Sequence, residues 1–176
     1  MKAKACSAIP MAFAALSALD PTPANAVEMF LKIGDIEGES QNSKHMDEID
    51  VLAWSWQLSK ASELNQASIR PIKITKKIDT ATDDLLVGAI NGTVFQAAEL
   101  NVERDGTQAP YIKIELKDVI VTSINTGATK SETELTETIT LDFNYVCYTY
   151  TPFDSETGQG GQSDTQCIDL LKLVGK

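Results

Sequence analysis

The stretch LTETITLDFNYVCYT, Leu135–Thr149, puts Ile139, Leu141, Phe143, Tyr145 and Cys147 on alternate positions over most of its length. Side chains two residues apart share one face of an extended chain, so this period predicts a long strand with one apolar face. The same period dominates from Val27 onward. Val27, Met29, Leu31 and Ile33 alternate with Glu28, Phe30 and Lys32, which predicts a first strand; Gly34–Met46 is polar and reads as a loop. Glu48–Trp56 predicts a second strand, with Ile49, Val51 and Ala53 on one face and Leu52, Trp54 and Trp56 on the other, as in a strand that is central or meets a neighbouring subunit. Ser59–Ser68 reads as a polar connection, and Pro71 places the next strand, around Ile72 and Ile74, at an edge or at its own start.

A single helix is predicted over Thr82–Ile90, with a Thr cap, Asp83 and Asp84 in the first turn, and Asn91-Gly92 as the stop. Leu85, Leu86, Ala89 and Ile90 are its expected core face. Strands resume at Val94–Glu103, Tyr111–Leu116 and Val119–Ile124. Apolar residues move from even to odd positions across Lys117-Asp118, so a bulge or corner is expected there. A last strand is expected over Cys167–Val174. About eight strands and one flanking helix make a mainly β fold, either a closed barrel or a two-sheet sandwich, since both manage exposed edges.

The 176 residues suit one domain. Residues 1–26 differ from the rest: Lys2 and Lys4 precede a small apolar run, and Ala24-Asn25-Ala26 has the small-x-small form of a signal-peptidase site. The reading is a signal peptide over 1–26 with cleavage after Ala26 and a domain over 27–176; a membrane anchor and a start codon assigned too far upstream are the alternatives. No membrane insertion of the mature domain is expected. Net charge is −10 for the chain. Such a surface repels phosphate backbones, so nucleic acid is not an expected partner.

Cys147 and Cys167 remain after the leader. Midway between them lies Thr157, inside a predicted turn, so in a hairpin the two would face each other across antiparallel strands. A disulfide closing that loop would stabilise by roughly 3 kcal/mol; two packed thiols are the alternative. Chemistry is hard to find. His45 is the one histidine, and reads as a surface or hydrogen-bonding residue. Asp35, Glu37 and Glu39 alternate along a glycine-bearing loop without the spacing of an EF-hand, so they read as a solvated loop. No catalytic residue, metal or cofactor is expected. Trp54, Trp56, Tyr145, Tyr148 and Tyr150 fit a core or an interface equally.

Five segments, AVEMFLKIGDIEGES (26–40), HMDEIDVLAWSW (45–56), KKID (76–79), SINTG (123–127) and ELTETITLDF (134–143), resemble in order and spacing the hemolysin-coregulated protein (Hcp) family of type VI secretion. The resemblance spans nearly all of residues 27–153. It implies a β-barrel with one flanking helix, assembled as a homohexameric ring that stacks into the inner tube, carries effectors in its lumen and is secreted by the type VI route, without catalysis. It makes Ser55, inside the WSW motif, the candidate lumen-facing contact. Two features depart from the family: Gln57–Thr75 is short and lacks glycine, and CIDLLKL (167–173) lacks the usual aromatics. With the leader, they leave a second reading, a Sec-exported periplasmic or secreted binding module that keeps the barrel.

Overall fold

A computed structural model describes residues 27–60, 67–104, 109–128, 130, 134–153 and 160–174; the leader and the Ala26 cleavage site lie outside them. Ten strands and two helices occur among the described residues: β1 (Val27–Ile33), β2 (Ile49–Ser55), β3 (Leu58–Lys60), β4 (Ala67–Ile69), β5 (Ile72–Lys77), α1 (Ala81–Asn91), β6 (Val94–Arg104), β7 (Ile112–Gly127), β8 (Thr136–Asp142), β9 (Tyr145–Tyr150), β10 (Asp164–Asp169) and α2 (Leu170–Val174). Six strands close a barrel in the order β1-β2-β5-β8-β7-β6, with β6 pairing back to β1. All the pairings are antiparallel. Strands β9 and β10 extend the sheet outward from the first half of β7.

Closure is possible because β7 is 16 residues long and changes its inward face midway. Ile114 and Leu116 point in from even positions, Val119 and Val121 from odd ones, and Asp118 between them takes a left-handed φ of 53°. A left-handed residue turns the chain without a partner on the opposite strand, and this is the corner the sequence predicts. The chain from β8 to β9 follows the bend. It breaks at Phe143 and Asn144 beside the corner, where the Asn144 amide donates to the Lys117 carbonyl at 3.1 Å. The long strand expected over 135–149 is therefore two strands serving two parts of the sheet, β8 in the barrel and β9 in the extension.

The second strand departs from its expected pattern. Its pairing with β5 shifts between Val51 and Ala53, so Leu52 is an extra residue. Ile49 and Val51 point into the core before the bulge, and Trp54 and Trp56 lean against it afterward, while Leu52 and Ala53 face outward. Two further corrections concern the connections. Ser59–Ser68 is no plain connection, since β3 and β4 pair as a small hairpin. The last segment is strand only to Asp169 and then turns into α2.

Helix α1 begins one residue earlier than expected and Thr80 makes no side-chain cap. Its free amides are met instead by Asp79, whose Oδ1 accepts from the Ala81 N–H at 3.0 Å, and by Glu39, whose Oε1 accepts from the Thr80 N–H at 3.2 Å. Gly92, at φ 63°, ends the helix as expected, with the Thr93 amide reaching back to Gly88 at 2.9 Å. Leu85 is buried, whereas Ile90, expected inside, is 83% exposed. The core is one continuous cluster filling the barrel, to which every barrel strand contributes and which α1 seals with Ala81 and Leu85.

Candidate functional site

The end of β2 carries Ser55. Its backbone pairs with Lys73 of β5, and its side chain faces a shallow groove of about 470 Å³ with Trp56, Gln57, Arg70, Pro71, Lys73 and Thr140. The bulge at Leu52 sets this geometry by shifting the parity of the rest of the strand, which turns Trp56 toward Phe143 (ring centroids 6.3 Å apart, 64° between planes) and leaves Ser55 exposed. Two hydrogen bonds pin the rim: the Trp56 indole donates to the Arg70 carbonyl at 3.0 Å and the Arg70 amide to the Gln57 carbonyl at 2.9 Å. The groove thus presents a hydroxyl, an indole edge and two basic side chains on an acidic chain. It can hold a polar or acidic surface by hydrogen bonds and charge.

Where β5 leads into α1, the barrel holds an ionic plug that sequence reasoning missed. Inward positions of β5 and β8 meet pairwise: Ile72 with Leu141, Ile74 with Ile139, and then Lys76 with Glu137. Both charged side chains are fully buried. The Lys76 ammonium points its three N–H groups at Glu137 Oε1 at 2.8 Å, Asp79 Oδ1 at 2.6 Å and the Lys77 carbonyl at 2.8 Å, with Thr82 Oγ1 sharing one of them at 3.3 Å. The Thr82 hydroxyl in turn donates to Glu137 Oε1 at 2.9 Å. Desolvating these charges costs several kcal/mol and is offset only by such dense pairing. The cluster ties the start of α1 to the mouth of the barrel. Extending the period-two faces by one step, from Ile74 to Lys76 and from Ile139 to Glu137, is the signal that could have found it.

A second cluster fastens the loop between β1 and β2. His45 is buried, its ring stacked on Phe30 with centroids 4.3 Å apart. Its Nδ1 lies 2.8 Å from Glu48 Oε2 and its Nε2 3.1 Å from Glu103 Oε1. Ionised carboxylates only accept, so whichever ring nitrogens carry hydrogen donate to them. The loop is thereby clamped over the outer face of β1 and β6, which is why Phe30, on the face expected to be wet, is buried. Gly38 lets the loop return at close range: its amide donates to the Asp47 carbonyl at 2.7 Å, and a Cβ there would lie 2.7 Å from the Ile49 Cα and still closer to the Glu48 carbonyl. Glu39 caps α1 and lines an open groove with Glu37, Asp47 and Asp84, whereas Asp35 lines a different one. Among the described residues no group of three or more His, Cys, Asp or Glu is arranged to hold a metal ion.

The aromatic residues divide. Trp54, Trp56 and Tyr148 pack against the core. Tyr150 is 39% exposed and meets Tyr111 edge-on at 5.2 Å, with the Arg104 guanidinium 4.1 Å from the Tyr111 ring centre. Burial, and then Tyr111, push the Tyr148 hydroxyl above the ordinary tyrosine range, and a hydrogen bond with Tyr111 does the same for Tyr150. Cys147 and Cys167 are register partners in β9 and β10, with Cα atoms 4.0 Å apart and the sulfurs joined.

The family described as "Type VI secretion system effector, Hcp" matches residues 30–150. The chain is 36% identical over 146 residues to protein hcp1 of Pseudomonas aeruginosa, covering 77% of this chain and 90% of that one. Among solved structures it is similar to Hcp1 from Salmonella typhimurium, at 27% identity and TM-score 0.71 over 84% of this chain and 97% of that one. It is also similar to a type VI secretion system effector from Yersinia pestis, at 28% identity and TM-score 0.67 over 80% and 98%. The closed six-strand barrel, its flanking helix and the matched length agree, and the chain belongs to the Hcp family of type VI secretion proteins.

Proposed function

We propose that the chain is a non-catalytic ring subunit of the type VI secretion tube, that six copies form the ring, and that Ser55 and its groove face the lumen and touch the effectors carried there. The observation that carries this reading is where the apolar side chains lie. Leu31, Ile33, Ile49, Ile74, Ile139 and Leu141, all at 1% exposure or less, occupy the barrel's interior, so a chamber for cargo has to be built between chains. On the outside, Val87 and Val94 line one groove at 56% and 55% exposure, and Ile90 stands one helical turn from Val87. An apolar surface of this kind on a chain of net charge −10 suits burial against a neighbour. Contacts that repeat head to tail around a ring close it, and repeated along the axis they make a tube.

Light scattering on the purified full chain tests the assembly: the expected mass is six times the 19.1 kDa of one chain. A strictly monomeric protein over a wide concentration range overturns it. Secretion is tested in cells with and without a working type VI apparatus, and release that persists without the apparatus refutes that route. The intact mass of the released chain, beginning at Val27 or not, reads the fate of residues 1–26.

A further inference from the structure

The terminal arm, β10 with α2, is the most weakly held part of the described sheet. It pairs with β9 alone, and its first four residues, Asp164–Cys167, are exposed. Apart from the six backbone register pairs and the Cys147–Cys167 bond, its attachments among the described residues are the Thr149–Thr165 hydroxyl pair at 2.8 Å, the Leu170 amide to the Asn144 carbonyl at 2.9 Å, and the packing of Ile168 and Leu170 on the core. An edge strand with so few buried contacts opens locally far more often than a barrel strand. Near the middle of this ladder, Cys167 sits opposite Cys147. Their neighbours on the inward face are Val146 and Ile168, so the two sulfurs lie on the outward side, with Cys147 buried against the sheet and Cys167 exposed.

We propose that Cys147 and Cys167 form a redox latch, open while the chain is in a thiol-rich compartment and closed after export, that fastens the terminal arm to β9. The proposal rests on the secretion reading for the order of the two states, and on the register of β9 and β10 for the latch itself. Closing needs an external disulfide, either of a small molecule such as oxidised glutathione or of a dithiol oxidant. The Cys167 thiolate, being exposed, attacks one sulfur of that disulfide; its S–S bond breaks, one thiolate leaves, and a mixed disulfide remains on Cys167. The Cys147 thiolate then attacks Cys167 Sγ, forming the Cys147–Cys167 bond and releasing the second thiolate. The protein loses two protons and two electrons, and the external disulfide becomes two thiols. The sulfurs are already opposed by the strand register, so closing the latch requires no rearrangement of the barrel.

Hydrogen exchange on the full chain reads the effect. For a loop of this length, the arm's amides should exchange about a hundredfold more slowly in protein treated with oxidised glutathione than in reduced protein. Amides of the barrel that exchange by local opening, without unfolding of the sheet, should be unchanged. The double variant C147S/C167S should behave as the reduced form under both conditions. Equal exchange of the arm in the two forms overturns the latch, and so does slowing spread evenly over the barrel, which would make the bond a global staple. Acid quench to freeze thiol exchange, followed by alkylation in neutral denaturant, gives the second readout: two reactive thiols in chain taken from a reducing cytoplasm and none after export, whereas a bond already closed in the cytoplasm overturns the switch. A monomeric protein with a latched arm would sink the ring proposal and leave this one standing.

Discussion

Replacing Lys76 with Met removes the one cation from a site that keeps its carboxylates. Lys76 and Glu137 are both fully buried, the three N–H groups of the ammonium are shared among four acceptors, and Glu137 Oε2 has no partner among the described residues. After the substitution, Glu137 retains only the Thr82 hydroxyl at 2.9 Å. Removing one partner of a buried pair costs roughly 3–5 kcal/mol. In a domain of this size, about 2–4 °C is lost per kcal/mol, so the melting temperature should fall by roughly 6–20 °C. The assays are thermal and urea unfolding followed by circular dichroism, at one fixed protein concentration because assembly raises apparent stability. The double variant Lys76→Met/Glu137→Leu separates pairing from shape. It should recover to within about 1 kcal/mol of the parent, since apolar replacement of a whole buried pair is near neutral. A single variant as stable as the parent, or a double variant no better than the single, would refute the claim that this ion pair holds α1 on the barrel.

Glycine substitutions give a contrasting pair. Gly38→Ala drives a methyl into the backbone of Glu48 and Ile49 and should cost roughly 2–3 kcal/mol, whereas Gly92→Ala, with nothing within 4 Å of the new Cβ, should cost about 1 kcal/mol for its left-handed φ alone; urea midpoints decide both. On the helix surface, Ile90→Glu should leave the monomer's unfolding midpoint within about 0.5 kcal/mol, because the side chain is 83% exposed, yet shift the oligomer toward smaller species in light scattering; an unchanged oligomer would remove this face from the assembly. Alkali should loosen β9. Tyr148 and Tyr150 have folded values raised above the ordinary 10.0, so each contributes stability below pH 10.0 that is lost as pH rises through its folded value. Urea midpoints measured at two or more pH values above 10.0 should fall as pH rises, and a midpoint that stays level or rises there would contradict the sign.

Most of the barrel is legible in the sequence because its walls obey one period. The β1 strand, the end of α1 at Gly92, the corner at Asp118 and the opposition of Cys147 to Cys167 all come from counting faces and turns. The errors lie where one residue changes the count. At Leu52 the chain carries an extra residue, so Trp54 and Trp56 change sides, and a strict alternation drawn through Ile49, Val51 and Ala53 points them the wrong way. At Phe143 and Asn144 the inward face moves from odd positions, Ile139 and Leu141, to even ones, Val146 and Tyr148, so Tyr145 and Cys147 do not share the face of Ile139; the apolar alternation they continue in the sequence makes two strands read as one. Ser59–Ser68 reads as plain connection because β3 and β4 are three residues each, too short to show a period, and their apolar pair Leu58 and Ile69 lies just outside it.

The candidate site is harder to read for a different reason. Lys76 and Glu137 stand at apolar positions of their strands, and a charged residue there reads as surface until its partner is placed on the neighbouring strand. His45 and Glu103 are 58 residues apart and meet only because the β1–β2 loop folds back onto β6. The outward apolar residues have the opposite problem, since Ile90 and Val87 carry the same local signal as Leu85, and only the direction of the helix relative to the barrel separates core from contact surface. The period encodes the inside of one chain. The segments that resemble the family contain Lys76, Glu137, His45 and Glu48, whereas their partners Glu103 and Thr82 lie outside those segments. The surface that would join one barrel to the next is therefore best sought on the outer side of α1, which the Lys76 cluster fastens to the barrel, and substitution there should alter assembly and leave the fold intact.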